Sequence, residues 1–231
     1  IGAGKSGTTA LYHYLNQHPQ VYMSPVKEPR FFVLEGDKLS FRGPGVQAWL
    51  KNAVVDNASY QSLFSGVKDE KAIGEASNRY LWDPRAAPNI KKYVPDAKLI
   101  AILRDPVERA YSHYLMLIRL GMEPFMDFEK ALQHEKSGAR KDWVWSPYIE
   151  HGFYYKHLLR YFELFDREQI KIYIYNDFLM DNLNVIRDIF FFLDVDPNFS
   201  PNISEKHNRA PDLVPRSQLI YNIFGWLNWY R

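Results

Sequence analysis

The sequence predicts an α/β protein of three layers, in which a central and mainly parallel β-sheet is flanked by helices. Strand-like and helix-like segments alternate along its 231 residues. Two strand-like segments, 98–103 and 170–175, are nearly continuous apolar runs, as expected for strands buried on both faces of a parallel sheet. Directly after the first of these, Asp105 and Pro106 supply the N-cap and first residue of a helix.

The predicted elements follow one another in chain order. A first strand ends near Ala3, and further strands are predicted at 20–23, 72–75, 98–103 and 170–175. Helices are predicted at 8–17, 85–93, 106–120, 125–135, 152–165 and 182–193. Gly-Pro-Gly at 43–45 marks a loop, and four prolines indicate an irregular segment over 194–216. We expect a single domain over 1–231 that is incomplete at both ends. At its beginning, the chain opens inside a predicted strand.

The composition argues against several classes of protein. Net charge is +2, from 29 basic and 27 acidic residues, which is too balanced for a nucleic-acid partner attracted by bulk charge. Cysteine is absent, so disulfides and thiol chemistry are excluded. No apolar run approaches the ~20 residues of a membrane span. No His, Asp or Glu cluster has metal-ligand spacing, so no metal is expected, and His13 and His18 are interpreted as structural.

The turn between the first strand and the first helix has the composition of an anion-binding loop. Backbone N–H groups at a helix N-terminus attract anions, and a lysine and several hydroxyls can add to them. The candidate groups are Lys5, Ser6, Gly7, Thr8 and Thr9. The turn is not a Walker A loop, because its lysine precedes the glycine instead of following it. From these residues alone, a capped helix with a solvated lysine is an equal alternative.

A second candidate anion site follows the strand at 98–103. Arg104 stands at the end of that strand, and Ser112 shares a helix face with Arg109 by the i,i+3 rule. An arginine fork and a hydroxyl suit a second phosphate. In the alternative interpretation Arg104 pairs with Asp105 or Glu108, and Ser112 only packs against its neighbours.

Four blocks in this order resemble the PAPS-dependent sulfotransferases, in the branch that holds the heparan sulfate sulfotransferases and many bacterial relatives. The blocks are GKSGTTALYHYLNQHP at 4–19, KEPRFF at 27–32, GEASNRYLW at 74–82 and LRDPVERAYSHY at 103–114. The stretch from 152 to 195 is similar to the later helix–strand–helix part of the family. The resemblance implies a P-loop-like fold without nucleotide hydrolysis, which transfers a sulfuryl group from PAPS (3'-phosphoadenosine 5'-phosphosulfate) to a hydroxyl or amine.

The resemblance also assigns roles to residues. It implies that the turn from Lys5 to Thr9 holds the 5'-phosphosulfate, with Lys5 at the leaving oxygen, and that Arg104 and Ser112 hold the 3'-phosphate. Glu28 matches the proposed general base of the family. The expected product is adenosine 3',5'-bisphosphate (PAP). Sulfuryl transfer is a loose in-line displacement, and it needs fixed donors where the leaving charge develops.

The loop around Glu28 allows a specific prediction about its backbone. Because Pro29 follows Glu28, we expect Glu28 to be extended, which would aim its side chain into a cleft. The competing interpretation is a surface ion pair of Glu28 with Lys27 or Arg30, which would contribute little.

The chain departs from the family pattern in two places. Several heparan-type enzymes carry a lysine after the glutamate of the block at 74–82, where this chain has Ala76. Glu75 and Arg79 remain as polar candidates there. The segment 204–217 is interpreted as the start of a basic loop, with Lys206 and Arg209 as candidates and a solvated loop as the alternative.

The acceptor cannot be predicted residue by residue. The resemblance favours a carbohydrate, with a small hydroxylated metabolite as the other candidate, and exposed aromatic side chains would suit either. The candidate aromatic segments, for which a core role is the alternative, are Phe31–Phe32, Tyr80–Trp82 and Trp143–Trp145. The rival functions are a P-loop kinase or NTPase and a non-catalytic module on the same fold. We expect a cytoplasmic protein, or a Golgi-lumen one if the chain belongs to a membrane-anchored enzyme.

Overall fold

The structure is a computed structural model that describes residues 1–145 and 147–204. These residues fall into two compact units. The first unit holds Ile1–Asp37, Asn52–Arg104 and the described residues from Tyr154 onward. The second unit holds Lys38–Lys51 and Asp105–Phe153.

Most elements of the first unit were predicted from the sequence. Its strands are β1 (Val21–Met23), β2 (Ala72–Gly74), β3 (Leu99–Leu103) and β4 (Ile170–Ile174). Its helices are α1 (Thr8–Leu15), α2 (Phe31–Leu34), α4 (Asn57–Ser62), α5 (Ala86–Tyr93), α8 (Tyr154–Phe162), α9 (Tyr175–Met180) and α10 (Asn182–Phe192), with 3₁₀ turns at Asn78–Leu81 and Arg167–Gln169. The sequence did not predict α2, α4 or α9, each of which is too short to show a hydrophobic period.

Every strand pairing among the described residues of the first unit is parallel, as predicted. Strand β1 pairs with β2, and β3 pairs with β4 over their full lengths. The predicted first strand is reduced to one parallel bridge between Gly2 and Ala101, beside β3. A cavity of about 740 Å³ is lined by residues of both strand pairs. Because paired parallel strands end at the same edge, the residues that follow β3, β4 and Gly2 come together.

The core of the first unit joins helices to these strands. Phe178 of α9 and Ile186, Ile189 and Phe190 of α10 are at most 1% exposed, and they pack with Leu11 of α1. Burying such a side chain stabilises a fold by about 1.5–3 kcal/mol. Helix α1, which follows the candidate anion-binding turn, is therefore anchored through its apolar face.

The second unit is built around α6 (Pro106–Arg119) and α7 (Phe128–Lys136), with α3 (Val46–Leu50) and a 3₁₀ turn at Glu150–Gly152. As predicted, Asp105 caps α6, accepting hydrogen bonds from the backbone N–H of Val107 and Glu108 at 3.0 and 2.9 Å. A buried pair joins Arg140 Nη1 to Glu123 Oε2 at 2.5 Å. Among the described residues, no helix is both long and apolar enough to span a bilayer.

Candidate active site

The turn that precedes α1 presents backbone N–H groups without a side-chain cap. Gly7 occupies the N-cap position with φ of 81°, a left-handed conformation that glycine adopts without strain. A side chain at Gly7 would also lie 3.1 Å from the ring of Tyr175 and 3.2 Å from that of Phe178. The first N–H groups of a helix need partners from outside the helix, and an anion can supply them.

Ser6 gives an independent sign that this turn holds a ligand. Its side chain is fully buried, yet its hydroxyl has no hydrogen-bond partner within the described part of the chain. A buried hydroxyl without a partner costs about 1–3 kcal/mol. An oxyanion in the turn would supply the missing acceptor, so the residues present fit a phosphosulfate group.

Lys5 and Arg104 bring two cationic residues to the same edge of the first unit. The Arg104 guanidinium donates to the Lys5 carbonyl at 3.4 Å and lies 5.0 Å from the centre of the Tyr175 ring. Cation–π contacts of this kind hold an arginine in place. Arg104 therefore lies against the anion-binding turn, in a position fixed by two contacts.

The prediction that Glu28 is extended is wrong. Glu28 has φ of 63°, and Arg30, two residues on, has φ of 59°. The Glu28 N–H donates to the Ala76 carbonyl at 3.0 Å, and the Arg30 N–H donates to Ser77 Oγ at 3.1 Å. These bonds to the segment after β2 override the local preference that Pro29 imposes.

The Glu28 carboxylate is held by three groups. Its Oε2 accepts from the Asn78 N–H at 3.0 Å and lies 3.9 Å from Arg30 Nε, while its Oε1 meets Lys27 Nζ at 3.0 Å. The side chain is 15% exposed. The ion pair with Lys27 and Arg30 therefore exists, and it belongs to a partly buried cluster instead of an open surface.

Glu75 is the second carboxylate of this cluster. Burial raises its pKa to about 7, although hydrogen bonds from Tyr80 and Ser77 act in the opposite direction. Ser77 Oγ donates to Glu75 Oε2 at 2.9 Å. Glu75 and Glu28 both line the cavity of the first unit. A carboxyl group with a pKa near neutrality can exchange a proton under working conditions.

The remaining predicted site residue, Ser112, lies half-buried on α6 in the second unit. Its helix neighbour Arg109 is buried and donates to the Tyr148 carbonyl. Arg104 belongs to the first unit. The pairing of Arg104 with Ser112 stays a prediction.

The structural interpretation of His18 is confirmed, because both ring nitrogens bond to backbone, at Asp196 O and Gln20 N, each at 3.0 Å.

Several candidate acceptor aromatics prove to be packing residues. Phe31 and Phe32 are buried, and Phe31 stacks on Tyr60 at 4.4 Å between ring centres. The Arg79 guanidinium lies over the Trp82 ring, 4.3 Å from the ring centre. Lys206 and Arg209 lie outside the described residues.

Three residues that contact the candidate site were missed at the sequence level: Ser77, Asn78 and Tyr175. Each follows a strand closely, and the rule that sites form at the carboxyl ends of strands would have found them if applied to β2 and β4. Asn78 also packs against the turn, since a side chain at Gly4 would lie 3.3 Å from its amide nitrogen.

Comparison with known proteins shows the family to which the chain belongs. The model of the sulfotransferase family matches residues 1–200. Carbohydrate sulfotransferase 15 of Homo sapiens is 28% identical over 266 residues, covering 94% of this chain and 46% of that protein. Heparan sulfate glucosamine 3-O-sulfotransferase 6 of Homo sapiens is 33% identical over 167 residues, covering 71% and 43%. The chain thus spans less than half of each of these two relatives.

Two solved structures share the fold. The crystal structure of a sulfotransferase from Alicyclobacillus acidocaldarius has a TM-score of 0.82 and 37% identity, and the match covers 90% of this chain and 84% of that one. A mouse sulfotransferase complexed with PAP, SULT7A1, has a TM-score of 0.52 at 17% identity, over 84% of this chain and 57% of that one. Together with the family match over residues 1–200, these findings identify the chain as a member of the sulfotransferase family.

Proposed function

We propose that this protein transfers a sulfuryl group from PAPS to a hydroxyl or amine of an acceptor. The observation that carries the proposal is the turn before α1, where an uncapped helix N-terminus and the buried, unpartnered Ser6 hydroxyl call for an oxyanion. Lys5 belongs to the same turn, and Arg104 contacts it. The turn has the lysine before the glycine, which does not fit the rival P-loop kinase or NTPase.

The donor follows from the two anion sites together. In this proposal the turn from Lys5 to Thr9 holds the 5'-phosphosulfate, and Arg104 and Ser112 hold the 3'-phosphate that distinguishes PAPS from other adenine nucleotides. The PAP bound to the mouse sulfotransferase of similar fold supports this choice of nucleotide. The single domain over 1–231 belongs to the same proposal.

The chemistry is an in-line displacement at sulfur. The acceptor oxygen forms a bond to sulfur while the bond from sulfur to the phosphate oxygen breaks, leaving PAP with the electron pair. The acceptor proton passes to Glu28. Lys5 stabilises the negative charge that grows on the leaving oxygen, as fixed donors do in related phosphoryl transfers.

The acceptor proposed first is a glycan, because carbohydrate and heparan sulfate sulfotransferases are among the relatives of the chain. The test is incubation with PAPS and a panel of unsulfated heparan-type oligosaccharides, chondroitin-type oligosaccharides and small hydroxylated or amine compounds, followed by mass spectrometry. We expect a sulfated product from the oligosaccharides and stoichiometric PAP. Binding of PAP with no sulfated product from any member would instead favour a non-catalytic module.

A further inference from the structure

Three hydrogen bonds join the loop of Glu28 to the segment that follows β2, and a fourth lies within that segment. Two have been described from the Glu28 side: its N–H donates to the Ala76 carbonyl, and its Oε2 accepts from the Asn78 N–H. The other two share the Ser77 hydroxyl, which accepts from the Arg30 N–H at 3.1 Å and donates to Glu75 Oε2 at 2.9 Å.

The direction of these bonds sets the role of each group. A serine hydroxyl has one proton to donate and lone pairs to accept with. Glu75 Oε2 accepts the hydrogen bond from the Ser77 hydroxyl, so the lone pairs of Ser77 are left to face the Arg30 N–H. Ser77 is 1% exposed, so water cannot easily replace either partner.

The loop needs such support because its backbone is strained. Glu28 and Arg30 are both left-handed non-glycine residues, with Pro29 between them. Left-handed conformations of this kind cost on the order of 1–3 kcal/mol each and persist only where the surroundings over-determine them. The bond from Arg30 to Ser77 fixes the far end of the loop.

We propose that Ser77 and Glu75 are positioning residues for Glu28, because the Ser77 hydroxyl, oriented by Glu75, holds the Arg30 amide and so keeps the Glu28 carboxylate in place. This inference rests on the proposed function, in which Glu28 takes the acceptor proton. Neither residue touches the reacting atoms in this scheme.

The first test compares Ser77→Ala with Ser77→Thr, using PAPS and an unsulfated heparan-type oligosaccharide. Ser77→Ala should lower kcat about 10- to 100-fold, because a small displacement of a catalytic group has effects of that size. The KM for PAPS and the affinity for PAP should not change. Ser77→Thr keeps the hydroxyl and should restore most of kcat. Ser24→Ala is the matched control, since Ser24 is also fully buried, follows the neighbouring strand β1 and uses its hydroxyl to bond the backbone of Val26.

A double-mutant cycle separates positioning from a general loss of structure. If Ser77 acts through Glu28, adding Ser77→Ala to Glu28→Gln should lower kcat little further, whereas independent effects would multiply. Multiplying effects, or an unchanged kcat in Ser77→Ala, would overturn the positioning role. Full activity of Glu28→Gln would instead remove Glu28 from the role of general base, whereas the proposed function fails only if the unmodified protein sulfates no acceptor.

Hydrogen exchange of the backbone amides tests the same bond without any acceptor. Ser77→Ala should speed exchange at Arg30, and Ser24→Ala should leave it unchanged. Glu75→Ala keeps the serine but removes its acceptor, so it should act in the same direction even if Ser77→Ala does not fold. Unchanged exchange at Arg30 in the folded Ser77→Ala or Glu75→Ala variant would refute the inference, whatever the activity.

Discussion

At the scale of single residues, Lys5 combines a cationic side chain with a left-handed backbone, φ 70°. In the proposed reaction its charge matters most when the leaving oxygen becomes negative. Lys5→Ala should therefore reduce kcat at saturating PAPS far more than it weakens PAP binding, because the lost interaction is strongest in the transition state. Steady-state kinetics and calorimetry measure the two effects. Lys141→Ala, at an exposed lysine of the second unit, is the control, and near-normal turnover of Lys5→Ala would contradict the role.

Arg104 should determine the choice of nucleotide. Arg104→Ala should weaken PAP binding by ~2–3 kcal/mol through loss of charge-assisted hydrogen bonds to the 3'-phosphate. Calorimetry should show little loss for AMP, which has no 3'-phosphate. Arg119→Ala, at an exposed arginine of α6, should bind both as the unmodified protein does. Equal losses for PAP and AMP in Arg104→Ala would mean that this arginine serves the 5' end instead.

Glu28 carries the proton-transfer step in the proposed reaction. Glu28→Gln keeps the shape of the side chain and an oxygen to accept from the Asn78 N–H, but it removes the base. The rate should fall by ~10²–10⁴-fold, with PAP binding and unfolding temperature nearly unchanged. A variant that stays active over the whole pH range would shift the role to another group, and Glu75 would be tested next.

Glu75 should make the stability of the protein depend on pH. Its pKa in the folded state is about 7, against an ordinary value of 4.5. Between these values the folded state keeps a proton that the unfolded chain has released, so stability falls as the pH rises through this window. The ionisable groups around it are Glu28, Arg30, Tyr60, Tyr80, Tyr161 and the amino group of Ile1.

The amide side chain in the Glu75→Gln variant is neutral at every pH, so this variant does not lose stability as the pH rises. Denaturant unfolding should show the variant gaining stability relative to the unmodified protein from about pH 5 to about pH 8, by up to roughly 3 kcal/mol. The matched comparison is Glu28→Gln, a carboxylate-to-amide change in the same cluster, measured over the same pH range. A parallel pH dependence in Glu75→Gln and the unmodified protein would contradict the raised pKa.

At the scale of elements, the sequence predicted what strong local signals specify. Asp105 and Pro106 start α6 where expected, and β3 and β4 lie within their predicted apolar runs. The turn before α1 was also predictable, because a lysine, two glycines and three hydroxyls stand between a strand and a helix; its binding of an anion stays a prediction. What failed was the backbone of Glu28, where a local rule about Pro29 lost to hydrogen bonds from residues about fifty positions away in the chain.

The aromatic residues considered for acceptor binding also show that local sequence signals are not sufficient. Phe31 and Phe32 have the composition of an exposed stacking surface, yet they pack with Tyr60 and Tyr93 in an aromatic cluster. The sequence identifies the side chain as aromatic, but it does not show whether the ring lies on the buried or the exposed face of its helix. Helix α2, which carries both residues, has four residues, so no hydrophobic period could reveal its buried face.

At the scale of the whole molecule, ligand binding should appear as stability, because a ligand that binds only the folded state stabilises it by mass action. At 100-fold excess over its Kd, PAP should add about 2.7 kcal/mol. For a chain of this size that corresponds to a rise in Tm of roughly 5–10 °C. Because Lys5 and Arg104 supply positive charge at the turn, the rise should be the same with magnesium and with a chelator. Differential scanning calorimetry measures it, with ATP and magnesium as the comparison and Arg104→Ala as the variant that should respond less to PAP. A larger rise in Tm with ATP and magnesium than with PAP would favour the rival P-loop kinase or NTPase function, because those enzymes need the metal to bridge the phosphates of the nucleotide.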